Sequence, residues 1–177
     1  MGKRNTKIAV LFSGGFDSGV VYYKTKHLKA DYVFFNYNQI YVGQEFKHAD
    51  LFLAKEKKQL KMLRDPWGAH DMPGRNFRFL TQLKAEGYTD VYMGTRCPLP
   101  MFDKFGDANY FSLKLRAKKI GIRVHMPIMC WTKTMVFKYL KKRTYLERFY
   151  NCYNNRLDYF KCKCVNCIER VRFVRKH

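Results

Sequence analysis

Acidic side chains are scarce in this chain. Fourteen Asp plus Glu stand against 35 Lys plus Arg, a formal net charge of +21 over 177 residues. A field of that sign attracts phosphates, on nucleotides or on nucleic acid. A Lys-rich surface that only keeps the chain soluble is the other reading of the same charge. Long apolar runs are also missing. None reaches the roughly 18 residues that a membrane-spanning helix needs, so no membrane partner is expected. The opening MGKRNTKIAVLFSGG joins a basic start to a short apolar run. No small-residue cleavage site follows it; the run enters a glycine turn, which predicts a first β-strand and a cytoplasmic protein. Repeats and low-complexity segments are absent. What is present is ample core material: 47% of residues are hydrophobic and 17% aromatic, which excludes a disordered chain.

Strand-like and helix-like stretches alternate. Lys7–Phe12, Asp31–Tyr37, Val91–Gly94 and Ile122–Met126 read as short strands. Gly19–Leu28, Gly43–Leu60, Asn76–Glu86, Tyr110–Lys119 and Thr132–Lys142 read as helices, with Gly87 and Gly121 as stops. Loops carry Pro66, Gly68, Pro73 and Gly74, and then Pro98 to Asp107. This order implies an α/β fold, a parallel sheet with helices on both faces. Ligands in such sheets sit beyond the carboxyl ends of the strands. Those ends carry Ser13–Ser18, Asn36–Gln39 and Gly94–Arg96.

The turn Ser13-Gly14-Gly15-Phe16-Asp17-Ser18 joins the first strand to the first helix. Two glycines let the backbone turn tightly and present N–H groups outward. Those donors sit beside a helix N-terminus, whose dipole favours anions. Ser13 and Ser18 add hydroxyls. A plain strand–helix turn with Ser or Asp as cap would look similar. The loop lacks the Gly-Lys-Ser/Thr of a Walker A loop, and it lacks GxGxxG spacing. SGGxDS resembles instead the PP-loop signature of ATP pyrophosphatases. That resemblance implies a loop that holds the β- and γ-phosphates as leaving pyrophosphate while the α-phosphorus is attacked. Asp17 then orients the loop or a Mg²⁺, or only caps the helix.

Six cysteines divide into two lone ones, Cys97 and Cys130, and a cluster of Cys152, Cys162, Cys164 and Cys167. Clustered cysteines without a secretory leader suit metal better than disulfides. Four thiolates, two of them in CxxC spacing, make a closed structural Zn²⁺ site. Unligated thiols and an iron–sulfur cluster are the alternatives. Two domains follow: an ATP-binding α/β domain over 1–148 and a four-cysteine segment over 149–177 packed on it. From Lys133 to His177 the chain has 13 basic and 3 acidic residues, 13 − 3 = +10. A zinc bound by four thiolates would reduce this to +8.

Several stretches together resemble the 7-cyano-7-deazaguanine synthase family. They are SGGFDS at 13–18, Pro73-Gly74-Arg75-Asn76 with Phe79-Leu80, Pro127-Ile128-Met129 with Trp131 and Lys133, and Cys152-Tyr153-Asn154 with Cys162, Cys164, Cys167 and Arg170. They occur in family order and span nearly the whole chain. The resemblance implies a Rossmann-like PP-loop fold and a ligase. 7-Carboxy-7-deazaguanine, ammonia and two ATP would give the amide and then the nitrile, through an acyl adenylate, with release of AMP and pyrophosphate. It implies an ATP site of Ser13, Gly14, Gly15, Phe16, Asp17, Ser18, Gly19, Phe34 and Gly94. Asp17 and Lys133 would act in catalysis, and Arg75, Asn76 and Asp107 would hold the base, with Asn76 also capping the helix that follows. Phe35 would border adenine beside Phe34; as strand residues both otherwise read as core. Mg²⁺ and Zn²⁺ are the implied metals and a homodimer the implied assembly.

The chain departs from that family in places. Asn36-Tyr37-Asn38-Gln39 stands for Asp-Tyr-Gly-Gln, and the stretch from there to Pro73 is shorter. Lys104 to Asn109 keeps only Asp107 of Gly-Tyr-Pro-Asp-Cys-Arg, and the last cysteines run Cys-x-Cys rather than Cys-x-x-Cys. Two further readings therefore stand: a PP-loop enzyme acting directly on tRNA or DNA, served by the basic, aromatic tail, and a nucleotide-binding relative that has lost catalysis.

Overall fold

A computed structural model describes residues 6–37, 42–64, 74–96, 110–144, 146–149 and 162–176. Among the described residues five strands carry the fold: β1 (Ile8–Leu11), β2 (Asp31–Asn36), β3 (Leu60–Arg64), β4 (Asp90–Tyr92) and β5 (Arg123–His125). Between and after them come α1 (Phe16–Thr25), α2 (Val42–Lys55), α3 (Arg75–Ala85), α4 (Tyr110–Lys119), α5 (Lys133–Lys141) and α6 (Val165–Lys176), with a short 3₁₀ turn at Leu146–Arg148. The sheet is parallel throughout, in the order β3-β2-β1-β4-β5. The chain builds outward from β1 to β3, then returns to lay β4 on the other side of β1.

Period-two alternation along buried strands feeds two cores. Val10, Phe12, Tyr32 and Phe34 turn to the face covered by α1, α2 and α5. Ala9, Val33, Phe35, Val91 and Val124 turn to the face covered by α3 and α4. On the first face Phe12, Tyr22, Tyr32 and Phe52 make edge and tilted ring contacts at 5.0–6.3 Å. On the second, Phe35 stacks on Phe79 at 4.0 Å with 8° between planes. Phe149 and Phe173, from the far end of the chain, lie in the same buried cluster as Phe16 and Phe137.

Gly19 is the close-approach point for that C-terminal packing. A Cβ there would stand 2.3 Å from the Phe149 ring. Glu56 fixes the segment from a second side, accepting from Tyr22 Oη at 2.9 Å and pairing with Arg148 at 2.9 Å. At the other end of the sheet, burial would raise the Asp90 carboxyl, but hydrogen bonds from Arg123, His125 and Thr89 hold it below the usual range.

Three elements differ from the sequence expectation. The helix expected to run to Leu60 ends at Lys55, and Leu60–Arg64 is a strand. β3 is the edge strand next to β2, and only Leu63 of it is buried, so its sequence LKMLR carries little apolar alternation. Charge on an edge is how sheets avoid pairing with other chains. The last cysteine lies inside a helix, α6, where no helix was expected. Asn76 does not cap α3: Gly74 is the N-cap, at φ 92°, so Asn76 is already helical. Among the described residues no helix is long and apolar enough to cross a membrane.

Candidate functional site

The strand order places a switch point between β1 and β4, where consecutive crossovers leave in opposite directions and a crevice opens at the carboxyl ends. The turn after β1 lies in that crevice. Gly14 has φ +75°, and a Cβ on it would sit 3.0 Å from the Ala49 backbone nitrogen of α2. Backbone conformation and space both call for glycine there. Gly15 is the extended N-cap of α1 and has no side chain to occupy the helix end. The first helical bond runs from Gly19 N–H to Gly15 O at 2.9 Å. The N–H groups of Phe16, Asp17 and Ser18 precede it and so have no partner within the helix. Ser18 Oγ donates to Gly15 O at 2.9 Å and lies 3.3 Å from Ser13 Oγ. These bonds hold the turn open as a cradle of donors.

The segment after β4 completes it. Gly94 lies against the start of α1: a Cβ would be 3.0 Å from Asp17 C and 3.1 Å from Ser18 N. This contact brings Arg96 over the loop, where Nε donates to Asp17 Oδ1 at 2.8 Å. The Arg96 side chain is 15% exposed and that of Asp17 36%. Burial holds the Asp17 carboxyl above the usual carboxylate range; the Arg96 guanidinium and then the Lys133 ammonium act against it. Lys133 opens α5, whose N-cap Thr132 accepts from Met135 N–H at 3.3 Å. Backbone donors, a helix dipole, two cations and one carboxylate thus face one crevice. That set suits a polyphosphate and a divalent cation.

The expected ATP-site residues divide. Ser13, Gly14, Gly15, Asp17, Ser18 and Gly94 lie together at the loop. Phe16 contributes only its backbone, because its ring packs on Phe137 at 4.9 Å. Gly19 has its N–H in the helix ladder and its Cα against Phe149. Phe34 is 1% exposed with its ring against Phe46 at 5.5 Å, and Phe35 is stacked on Phe79, so both rings are core. Arg75 and Asn76 open α3 at the end of the neighbouring crossover, and the Arg75 guanidinium lies 4.7 Å over the Tyr37 ring. Asp107, Asn38, Gln39, Cys97 and Cys152 fall outside the described residues. Arg96 is the residue that sequence reasoning left without a role. Its signal was only a cation two positions after the glycine of a strand end.

Cys162, Cys164 and Cys167 come together, with all three Sγ atoms within 4.8 Å of one another. A tetrahedral zinc with Zn–S of about 2.3 Å would need sulfurs roughly 3.8 Å apart. Sulfurs that all lie within 4.8 Å of one another are compatible with that demand. Cys162 and Cys167 are buried, and the Cys164 N–H points at Cys162 Sγ at 3.5 Å, a donor suited to a thiolate. These three residues can hold a metal ion. One turn on, the buried Arg170 donates from Nη1 to Phe149 O at 3.4 Å and lies 5.2 Å from the Phe16 ring. The cysteine cluster is thereby joined to the back of the glycine loop.

No family model and no curated protein sequence matches the chain in comparison with known proteins. Among solved structures it is similar to one described as a predicted subunit of tRNA methyltransferase from Methanocaldococcus jannaschii. The two share 18% identity, with 76% of this chain and 73% of that chain covered, at a TM-score of 0.49. A likeness of that size carries nothing about activity. The fold class rests on the strand order and the two helix-covered faces described above.

Proposed function

We propose that this protein is an ATP-dependent adenylating enzyme of the PP-loop class that activates the carboxylate of 7-carboxy-7-deazaguanine for attack by ammonia. One observation carries the class: a glycine loop without a P-loop lysine lies at the β1/β4 switch point, facing Asp17, Arg96 and Lys133. The acceptor rests on the ordered motifs around Arg75, Lys133 and the cysteines.

The N–H groups of Phe16, Asp17 and Ser18, with the Ser13 hydroxyl, receive the β- and γ-phosphates of ATP. Arg96 and Lys133 neutralise the charge that grows on pyrophosphate as it leaves. The substrate carboxylate attacks the α-phosphorus, the bond to the bridging β-oxygen breaks, and an acyl adenylate forms. Ammonia then attacks the acyl carbon, AMP leaves with the bonding pair, and a proton passes to solvent, giving the amide. A second adenylation, on the amide oxygen, followed by loss of AMP and protons gives the nitrile. Asp17 would hold Mg²⁺, which when bound screens the phosphate charges. Cys162, Cys164 and Cys167, with Cys152 as fourth ligand, would hold Zn²⁺, which when bound fixes α6 against the loop helix.

The test is incubation with ATP, ammonium and 7-carboxy-7-deazaguanine, with nucleotide and base products read by mass. AMP and pyrophosphate, with a base lighter than the acid by the amide or nitrile difference, are the expected products. ADP and orthophosphate as the sole nucleotide products would overturn the class. AMP formed only when the base is supplied within tRNA or DNA would overturn the free acceptor.

A further inference from the structure

Between Ala108 and Leu146 the sequence has no Asp or Glu, yet it holds ten Lys and Arg. Elsewhere several of the few acids are committed to the fold: Asp17 to Arg96, Glu56 to Arg148, Glu86 to Lys61 and Asp90 to Arg123. That stretch supplies none of its own counter-charges, and Arg123 is met from β4 by Asp90. α5 shows the result on one stripe. Met135, Lys138, Tyr139 and Lys142 recur at i, i+3, i+4 and i+7, and Arg143 follows at i+8. Lys138, Lys142 and Arg143 are exposed, and Met135 is 45% exposed. The end of α1 extends the stripe: Lys24 Nζ lies 5.0 Å over the Trp131 ring and 5.8 Å over Tyr139. Arg143 covers Tyr139 at 3.6 Å, and the two rings meet edge to face at 5.2 Å. Among the described residues none of Lys24, Lys138, Lys142 and Arg143 forms an ion pair.

From these contacts we infer that the α1–α5 face is a docking surface for single-stranded nucleic acid. Lys138, Lys142 and Arg143 follow one side of α5 and Lys24 adjoins them across Trp131 and Tyr139, a spread of charge that suits a chain of phosphates better than one phosphate. Trp131 and Tyr139 are partly exposed rings set among them, the combination on which bases stack while the backbone is neutralised. A cation capping an exposed ring is held weakly, more weakly than a stacked base. Lys24 and Arg143 can therefore move to phosphate and leave the ring faces to bases. A bilayer suits the surface less well: Val136, Phe137 and Leu140, the apolar residues of α5, are 1%, 4% and 0% exposed and belong to the core. Only Met135 is left to insert, and interfacial helices need a whole apolar face. This inference stands apart from the ATP reading, since none of these residues lies at the loop.

The experiment uses the full chain and fluorescence anisotropy of a labelled oligothymidine of about 20 nucleotides. Duplex DNA of the same length and vesicles with about 30% phosphatidylserine are run beside it. Two charge-matched variants separate the face from net charge: Lys138→Glu/Lys142→Glu on α5, and Lys118→Glu/Lys119→Glu at the end of α4, which covers the other face of the sheet. Circular dichroism confirms that both fold. The expected result is single-strand binding that falls with salt, weakened about tenfold or more by the α5 pair and less than about threefold by the α4 pair. Quenching of tryptophan fluorescence should accompany binding and shrink in Trp131→Phe. Equal losses in both variants, or tighter binding to the vesicles or the duplex, would overturn the inference, as would no binding to the oligonucleotide at low salt.

Discussion

Replacing Arg96 by Ala should move the pH at which the protein loses Mg·ATP. Asp17 binds a cation only when ionised. Its carboxyl is already held above the usual range by burial, with Arg96 the largest influence against that. The acid limb of Mg·ATP affinity should therefore lie above the ordinary Asp value of about 3.9 in the wild type. A hydrogen bond from a charged donor contributes about 1.5–3 kcal/mol. The Arg96–Asp17 bond is 2.8 Å long, but Asp17 is 36% exposed, so solvent screening reduces this to about 1–2 kcal/mol. Arg96→Ala should therefore move the limb further upward. The sign follows from the pairing: losing a cation favours the neutral acid, so protonation begins at higher pH. The same variant should weaken binding at neutral pH through the lost phosphate contact. That loss is uniform across pH and leaves the midpoint where it was, so calorimetric titrations from pH 4.5 to about 8 separate the two effects. Asp17→Asn should remove the part of the limb that Asp17 contributes and leave the part set by protonation of the ATP phosphates. An unmoved midpoint in Arg96→Ala, or an acid limb in Asp17→Asn identical to that of the wild type, would refute the assignment of Asp17 as a titrating cation ligand.

Gly19→Ala should destabilise the protein although Ala favours helix over Gly by up to about 1 kcal/mol. The new methyl would stand 2.3 Å from the Phe149 ring, and overpacking costs about 1–3 kcal/mol, so the midpoint in urea should fall. Gly94→Ala pushes on the backbone of Asp17 and Ser18 at 3.0 and 3.1 Å, and should reduce ATP affinity roughly tenfold with a smaller change in thermal midpoint. Cys164→Ser should lose zinc on purification, measured by atomic emission, because a hydroxyl is a poor ligand for a thiophilic metal. Cys130→Ser, at an exposed thiol away from the cluster, should keep it.

How much could be read from the sequence varied from one element to the next, for physical reasons. β1, β2 and the first loop were legible because a buried parallel strand reads as a continuous apolar run and SGGFDS follows one directly. α4 was legible through its bounding Gly121. β3 was not, because an edge strand buries little and its Lys61, Met62 and Arg64 signal neither face. Phe34 and Phe35 read equally well as ring partners for adenine or as core; the alternation of β2 between two helix-covered faces enclosed both.

The sequence by itself determined the local chemistry: a glycine turn that presents N–H groups, cysteines spaced for one metal, and a charge excess that 14 acids cannot cancel. Each follows from residues a few positions apart, or from composition alone. Only the tertiary structure decided which distant groups meet. Arg96 reaches Asp17 across 79 positions because β4 returns to lie beside β1 and Gly94 has no side chain to hold the two apart. Phe149 reaches Gly19 for the same kind of reason, a missing Cβ at a close approach. Such contacts depend on strand order and on the space between elements, and neither is encoded in the neighbourhood of the residues that make them.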